Sequence, residues 1–358
     1  MIAVILGTRA EFLRCVPLLK NLETEKLDYY LILTGQNLVD DIMENFGIKS
    51  ENRIQLRTFQ GISTSPLMAI KRTPALVVEL RQILRKMKPT YIVYHGDTLT
   101  TLAGALASSG LGFRTAHIEA GFRSHSFLEP FPEEFFRVVA DYKSDILFSP
   151  STNATENLVH EKVKGKIIQS GSTVFDVVNM ALEIIGKSFR RKDYVFFTAH
   201  RFENVFFKSR LKRIIEMLSL IKIPIYWPLH DITKAQLKKF DLLKEIEKTN
   251  VNLLPLMSYL DSMKLFSNCN YVITDGGSIE EESIILNKPC LLLRKRTERI
   301  EGLRLGTIFL TKLDYNLTCQ LIKKVEKLDV NILHNPYVFD EKPTKCIFNY
   351  LKKECDEL

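Results

Sequence analysis

Short apolar runs recur along the chain at residues 2–6, 30–33, 91–94, 115–118 and 146–148. Stretches with helical apolar spacing, such as 76–87, lie between them. Runs of that length bounded by polar or turn residues read as buried strands, and strands alternating with helices build parallel βαβ units. After about residue 165 the pattern restarts, with runs at 166–169, 194–198, 223–227, 252–254, 271–274 and 290–293. The expectation is an α/β chain of two Rossmann-like domains in tandem, over 1–168 and 169–340, with the hinge within 149–172. A last helical pattern over 341–358, with Ile347, Tyr350 and Leu351 on its apolar face, predicts a closing helix that packs back on the first domain. A length of 358 residues suits two cores better than one.

In sheets of this kind the chemistry gathers in loops beyond the C-terminal strand ends. Asp97 follows the run ending at His95, Glu119 follows the run ending at Ile118, and Glu133 stands in Pro-Phe-Pro-Glu-Glu at 130–134. Clustered carboxylates raise one another's proton affinity, so that one serves as acid while its neighbour serves as base. In the second half, the strand ending at Thr274 runs into Asp275-Gly276-Gly277-Ser278, whose backbone N–H groups at a helix start suit a phosphate or diphosphate. Glu282, one helical turn inside, is placed to accept two ribose hydroxyls. Arg294, Arg296 and Arg299 follow the next strand, and guanidinium groups fit diphosphate oxygens bidentately. His200, with Arg201 and Asn204, stands at another strand end as a phosphate ligand or a proton donor to a leaving group. The first turn, Gly7-Thr8-Arg9-Ala10-Glu11, adds Arg9 and, one turn later, Arg14, cations directed toward a cleft between the domains.

Composition narrows the partners. The formal charge of +8, from 50 basic and 42 acidic residues, is spread along the chain and interleaved with acids, which argues against a nucleic-acid partner. The six cysteines show neither a Cys-x-x-Cys pair nor metal-ligand spacing with histidine, as expected of reduced cytosolic thiols. No Gly-x-Gly-x-x-Gly follows the first strand, so a dinucleotide has no seat there. The N-terminus lacks the features of a signal peptide, and no apolar stretch approaches the ~20 residues that span a bilayer. A cytoplasmic protein without metal, redox cofactor or membrane partner is the expectation.

The motifs, in their order along the chain, resemble those of the UDP-N-acetylglucosamine 2-epimerase family, of glycosyltransferase-B fold. They are Gly-Thr-Arg-x-Glu at 7–11, Thr-Gly-Gln at 34–36, His-Gly-Asp-Thr at 95–98 and His-Ile-Glu-Ala-Gly-x-Arg at 117–123. Pro-x-Pro-Glu-Glu at 130–134, His-Arg-x-Glu-Asn at 200–204, Thr-Asp-Gly-Gly at 274–277, Glu-Glu at 281–282 and Thr-Glu-Arg at 297–299 complete the set. The resemblance implies a UDP-sugar in the inter-domain cleft, proton abstraction at C2 of the N-acetylhexosamine, anti-elimination of UDP to a 2-acetamidoglucal, and re-addition of UDP. Asp97, Glu119 and Glu133 are then the acid/base carboxylates, and His200 assists the diphosphate. Arg9, Arg14, Arg137 and Arg299 hold the substrate, Gly276, Gly277 and Ser278 cradle the diphosphate, and Glu282 fixes the ribose. No metal or cofactor is implied, and a homodimer is. The hydrolysing relatives, a glycosyltransferase on the same fold and a binding protein without turnover are the alternatives.

The chain departs from the family's usual residues at several positions. Arg14 stands for Lys, Phe136 for Asn, Phe202 for Arg, Asn37 for His and Glu280 for Gln. Gly276-Gly277-Ser278 stands for Ser-Gly-Gly and Gly171-Ser172-Thr173 for Gly-Asn-Thr. The altered 36–40 stretch implies that no second substrate molecule binds there as activator.

Overall fold

A computed structural model of the chain describes residues 1–35, 39–49, 51–58, 66–125, 132–186, 191–328 and 335–356, with side chains given outside 66–70 and 356. Gln36, Asn37 and Leu38, the core of the stretch expected to lack an activator site, fall outside the described residues, as does Pro130. The chain divides into two compact units, Met1–Val177 with Pro336–Leu358, and Val178–Asn335.

The first unit holds a seven-stranded, all-parallel sheet: β1 (Ile2–Leu6), β2 (Tyr29–Leu33), β3 (Arg53–Gln55), β4 (Tyr91–His95), β5 (Arg114–Ile118), β6 (Ile146–Ser149) and β7 (Lys166–Gln169). Their order in space is β3-β2-β1-β4-β5-β6-β7. β1 is Ile-Ala-Val-Ile-Leu and buried at all five positions, the continuous apolar run demanded of a central strand covered on both faces. β4 is buried throughout as well, and Ile92 and Tyr94 pack with Leu80, Leu84 and Leu102 in one core. Order reverses between β1 and β4, where the chain first crosses to the other side, and open α/β sheets hold ligands outside the carboxyl ends at such a switch point. The helix Pro343–Asp356 belongs to this unit, and its Tyr350 ring meets Phe148 of β6 edge-on at 5.8 Å.

The second unit repeats the winding with β8 (Val195–Thr198), β9 (Ile225–Pro228), β10 (Val251–Leu254), β11 (Tyr271–Thr274), β12 (Cys290–Leu292) and β13 (Ile308–Leu310). The order is β10-β9-β8-β11-β12-β13, again wholly parallel, so β8 and β11 form the switch point. Trp227 is fully buried edge-on against Phe197 at 4.5 Å, and both belong to the core of this unit.

The alternation of runs thus yields two Rossmann-like sheets. One strand is reassigned: 166–169, expected to open the second half, pairs with β6 as the edge of the first sheet. Two three-residue edge strands, β3 and β13, have no counterpart among the expected runs.

Candidate active site

At the carboxyl end of the first sheet, β4 and β5 are neighbours, so the residues that follow them are brought side by side. Gly96 takes φ +75° and donates from its N–H to the Ile118 carbonyl at 3.0 Å, and Glu119, directly beyond β5, takes φ +72°. A left-handed conformation at a glutamate costs on the order of 1 kcal/mol and is held only where the surroundings fix it. Here Arg14 provides an ion pair to the Glu119 carboxylate, and the His95 Nδ1 atom lies 3.5 Å from the same oxygen. Glu119 and Arg14 are both buried, whereas the Asp97 side chain stays 29 % exposed. Asp97 accepts from the Arg137 guanidinium, which also binds Glu134 at 2.8 Å and donates to the Phe122 carbonyl at 3.3 Å. Glu133 is the partly buried first residue of the helix Glu133–Lys143, the same helix that carries Arg137. A carboxylate at a helix start is favoured by the helix dipole.

The first turn is held by Thr8 and Glu11, which form a reciprocal capping box on the helix Arg9–Thr24. The buried Glu11 carboxylate accepts from the Gly7 and Thr8 amides at 2.9 and 2.7 Å, from Thr98, and from Thr101 at 3.2 Å. It therefore ties the loop after β1 to the loop after β4. Burial raises its proton affinity, and these bonds counteract part of that rise. Arg9, expected to reach a phosphate, makes a two-pronged ion pair with Asp41 at 2.5 and 2.6 Å, with both side chains nearly half exposed. Arg14 keeps the cation at the usual lysine position and directs it at Glu119, while Phe136 is packed in the core beside Ala103 and Ala140 rather than facing solvent.

In the second unit Asp275 organises the switch point. It is fully buried and accepts from the His200 amide at 3.1 Å, the Arg201 amide at 3.0 Å and the Asn204 side chain at 3.0 Å, with the His200 Nδ1 atom 3.4 Å away. The His200 side chain is 40 % exposed and lies over Gly276, where an added Cβ would approach its ring carbon to 3.2 Å. Gly276 is the N-cap of the helix Gly277–Ile285 with no side-chain capping bond, and its own N–H donates to the Thr274 hydroxyl at 3.0 Å. Gly277 rests directly on Arg299, since a Cβ there would stand 2.8 Å from Nη1. Arg299 is itself buried, paired with Glu298 and, at 3.2 Å, with Glu281. It thus lies beneath the glycine turn as a support. Arg294 pairs with Glu298 at 2.8 Å. Glu282 is buried and accepts from the Tyr259 hydroxyl at 3.1 Å.

Every expected site residue thus sits at the carboxyl end of one sheet or the other, or in the helix that follows. Reading the sequence missed Glu11, Asp141 and Asp275 as organising carboxylates. Asp275 stood within a quoted motif, and its position between a strand and two glycines was the available signal. Among the described residues no group of three or more His, Cys, Asp or Glu is arranged to hold a metal ion, and no helix is long and apolar enough to cross a membrane.

A family model described as UDP-N-acetylglucosamine 2-epimerase matches residues 20–352. A relative from Methanocaldococcus jannaschii named UDP-N-acetylglucosamine 2-epimerase is 34% identical over 85% of this chain and 86% of its own. The crystal structure of the UDP-GlcNAc 2-epimerase of that organism in complex with UDP-GlcNAc and UDP superposes with a TM-score of 0.88 at 30% identity, covering 98% of this chain and 99% of that one. A Pseudomonas aeruginosa protein named UDP-2,3-diacetamido-2,3-dideoxy-D-glucuronate 2-epimerase is 32% identical over 85% of this chain and 86% of its own. With its paired switch points, its acids beyond β4 and β5, and a match over most of its length, this chain belongs to the UDP-N-acetylglucosamine 2-epimerase family.

Proposed function

We propose that the protein is a non-hydrolysing 2-epimerase that interconverts UDP-GlcNAc and UDP-ManNAc. The observation that carries this reading is the pairing of Asp97 and Glu119 on neighbouring strand ends, each held by its own guanidinium, in a chain of this family. A carboxylate takes the C2 proton, the C2–H electron pair becomes the C1=C2 double bond of a 2-acetamidoglucal, and the C1–O bond breaks to release UDP. In return, a UDP oxygen attacks C1 while a carboxylic acid delivers a proton to the opposite face of C2. Atoms and charge balance without any further reactant. Asp97, Glu119 and Glu133 supply the base and the acid, a division that requires carboxyl groups in unlike surroundings. The buried, ion-paired Glu119 and the part-exposed Asp97 are unlike in that sense.

His200 and the Gly276–Ser278 turn receive the diphosphate, and Glu282 the ribose. Arg299 acts through Gly277 by bracing the turn. A homodimer belongs to the same reading, and sedimentation velocity tests it.

The test is proton NMR with UDP-GlcNAc in D2O, following the C2 proton, UDP-ManNAc and free UDP together. Loss of the C2 proton with growth of UDP-ManNAc is expected. Free UDP with ManNAc would establish the hydrolysing reaction instead, and an inert C2 proton would overturn the reading. The Pseudomonas aeruginosa relative motivates a second sugar, a UDP-2,3-diacetamido hexuronate, in the same assay.

The turn gives its own prediction. Gly277→Ala drives a methyl group against a guanidinium pinned by two carboxylates, so UDP affinity measured by calorimetry falls at least about tenfold. Unchanged affinity would place the diphosphate elsewhere.

A further inference from the structure

Behind the carboxylates of the first unit lies a buried polar network that the proposed chemistry does not use. His117, the last-but-one residue of β5, is fully buried, and both its ring nitrogens are engaged. Nε2 lies 2.7 Å from the Gly96 carbonyl and Nδ1 lies 2.7 Å from Asp141 Oδ1. A carbonyl and a carboxylate both accept, so the two bonds are made together only when both nitrogens carry hydrogen. Asp141, from the helix Glu133–Lys143, is fully buried too and takes the Gly121 amide at 3.2 Å and Arg123 at 2.7 Å on its other oxygen. Burial pushes its carboxyl up, but the hydrogen bonds and charges of His117 and Arg123 outweigh that and leave it below the usual range. Arg123 passes on to Glu161 through two bonds of 2.7 Å, which anchors the network at the end of the helix Thr152–His160.

The attachment points flank the chemistry. Gly96 immediately precedes Asp97, and its carbonyl belongs to the peptide bond whose nitrogen is Asp97's own. Gly121 closes the turn that begins at Glu119, and there no larger residue fits, because φ is +90° and a Cβ would meet the Ala154 carbonyl oxygen at 2.3 Å. We infer that His117, clamped by Asp141, is a positioning residue for proton transfer: through the Gly96 carbonyl it fixes Asp97, while Asp141 fixes through Gly121 the turn of Glu119. The inference rests on the epimerase reading for the identity of the reaction, and on the geometry alone for the residues that position it.

Two conservative replacements separate positioning from mere support. Gln at 117 keeps an amide N–H near the place of Nε2 and so retains the Gly96 bond, whereas Asn places its amide near Nδ1 and loses it. C2 proton washout from saturating UDP-GlcNAc in D2O is expected to slow roughly 30-fold or more in His117→Asn and less than about fivefold in His117→Gln. UDP affinity should stay unchanged in both, and the C2 deuterium isotope effect on kcat should rise in the Asn variant. Equal rates in the two variants, or losses that merely follow their melting temperatures, would overturn the inference. The wild-type protein gives a check that needs no variant: imidazole nitrogen-15 spectra should show the His117 Nε2–H bonded to the Gly96 carbonyl, and an Nε2 without a proton would overturn the inference equally. Failure of the underlying reading looks different, since then the wild type itself shows no washout.

Discussion

Glu119→Gln is expected to reduce C2 proton exchange by roughly 10³-fold or more while UDP binding, assigned to the second unit, stays within about threefold of wild type. The amide matches the carboxylate in shape but can neither take a proton from carbon nor carry the charge that Arg14 faces. Arg14 is buried beside it, so the substitution removes one carboxylate of a buried ion pair, a change that costs several kcal/mol in such pairs. Loss of activity must therefore be separated from loss of fold. Arg14→Lys supplies the separation, because lysine is the family's usual residue there and keeps the charge while giving up the guanidinium geometry. It should melt near the wild type and retain exchange within about tenfold. Should Glu119→Gln keep exchanging the C2 proton at an undiminished rate, the base lies elsewhere, with Asp97 or Glu133 the first alternatives.

The contrast between Glu119 and Asp141 shows what a sequence discloses about such a site. Glu119 stands in the consecutive motif His-Ile-Glu-Ala-Gly-Phe-Arg just beyond an apolar strand, and strand-end loops are where chemistry is sought, so its motif was readable. Asp141 lies 24 residues from His117, within Glu-Glu-Phe-Phe-Arg-Val-Val-Ala-Asp-Tyr-Lys, where it reads as one more acid on an amphipathic helix. Only the winding of the sheet brings it under β5. The same holds for Arg9 and Arg299, which were expected to face a phosphate because they are cationic and near the strand ends. Whether a guanidinium faces a ligand or a carboxylate depends on Asp41, Glu281 and Glu298, and those pairings are set by packing. Strands were legible when buried on both faces, as β1 and β4 are. Short edge strands were not: β3 and β13 offer three residues each, too few for a period to show, and β7 lies so near the boundary between the two units that nothing in its pattern assigns it to either sheet.

Glu280 provides the other large effect, and here the chain differs from its family. The side chain is fully buried below the glycine turn, with the Thr297 hydroxyl 2.8 and 2.9 Å from its two oxygens. Around it Arg294 and Arg299 are matched by Glu281 and Glu298, so a third ionised carboxylate would add net negative charge to this buried cluster. Burial, and after it the charge of Glu298, pushes the Glu280 carboxyl up to about 8 against an ordinary 4.5, despite the opposing pull of Arg294, Arg299 and Thr297. The folded protein thus holds this proton to higher pH than the unfolded chain does. Its contribution to stability is complete below about 4.5, declines as pH rises from there to about 8, and above that leaves a constant penalty on the order of 5 kcal/mol. Gln, the family's usual residue, copies the protonated form in shape and accepts the same hydroxyl. Glu280→Gln is therefore expected to melt with the wild type near pH 4.5 and to gain on it steadily up to pH 8, where the second unit should unfold roughly 10 °C higher. A gap that stays flat with pH, or a variant less stable throughout, would mean that Glu280 is ionised and serves as a counter-ion to Arg294 and Arg299.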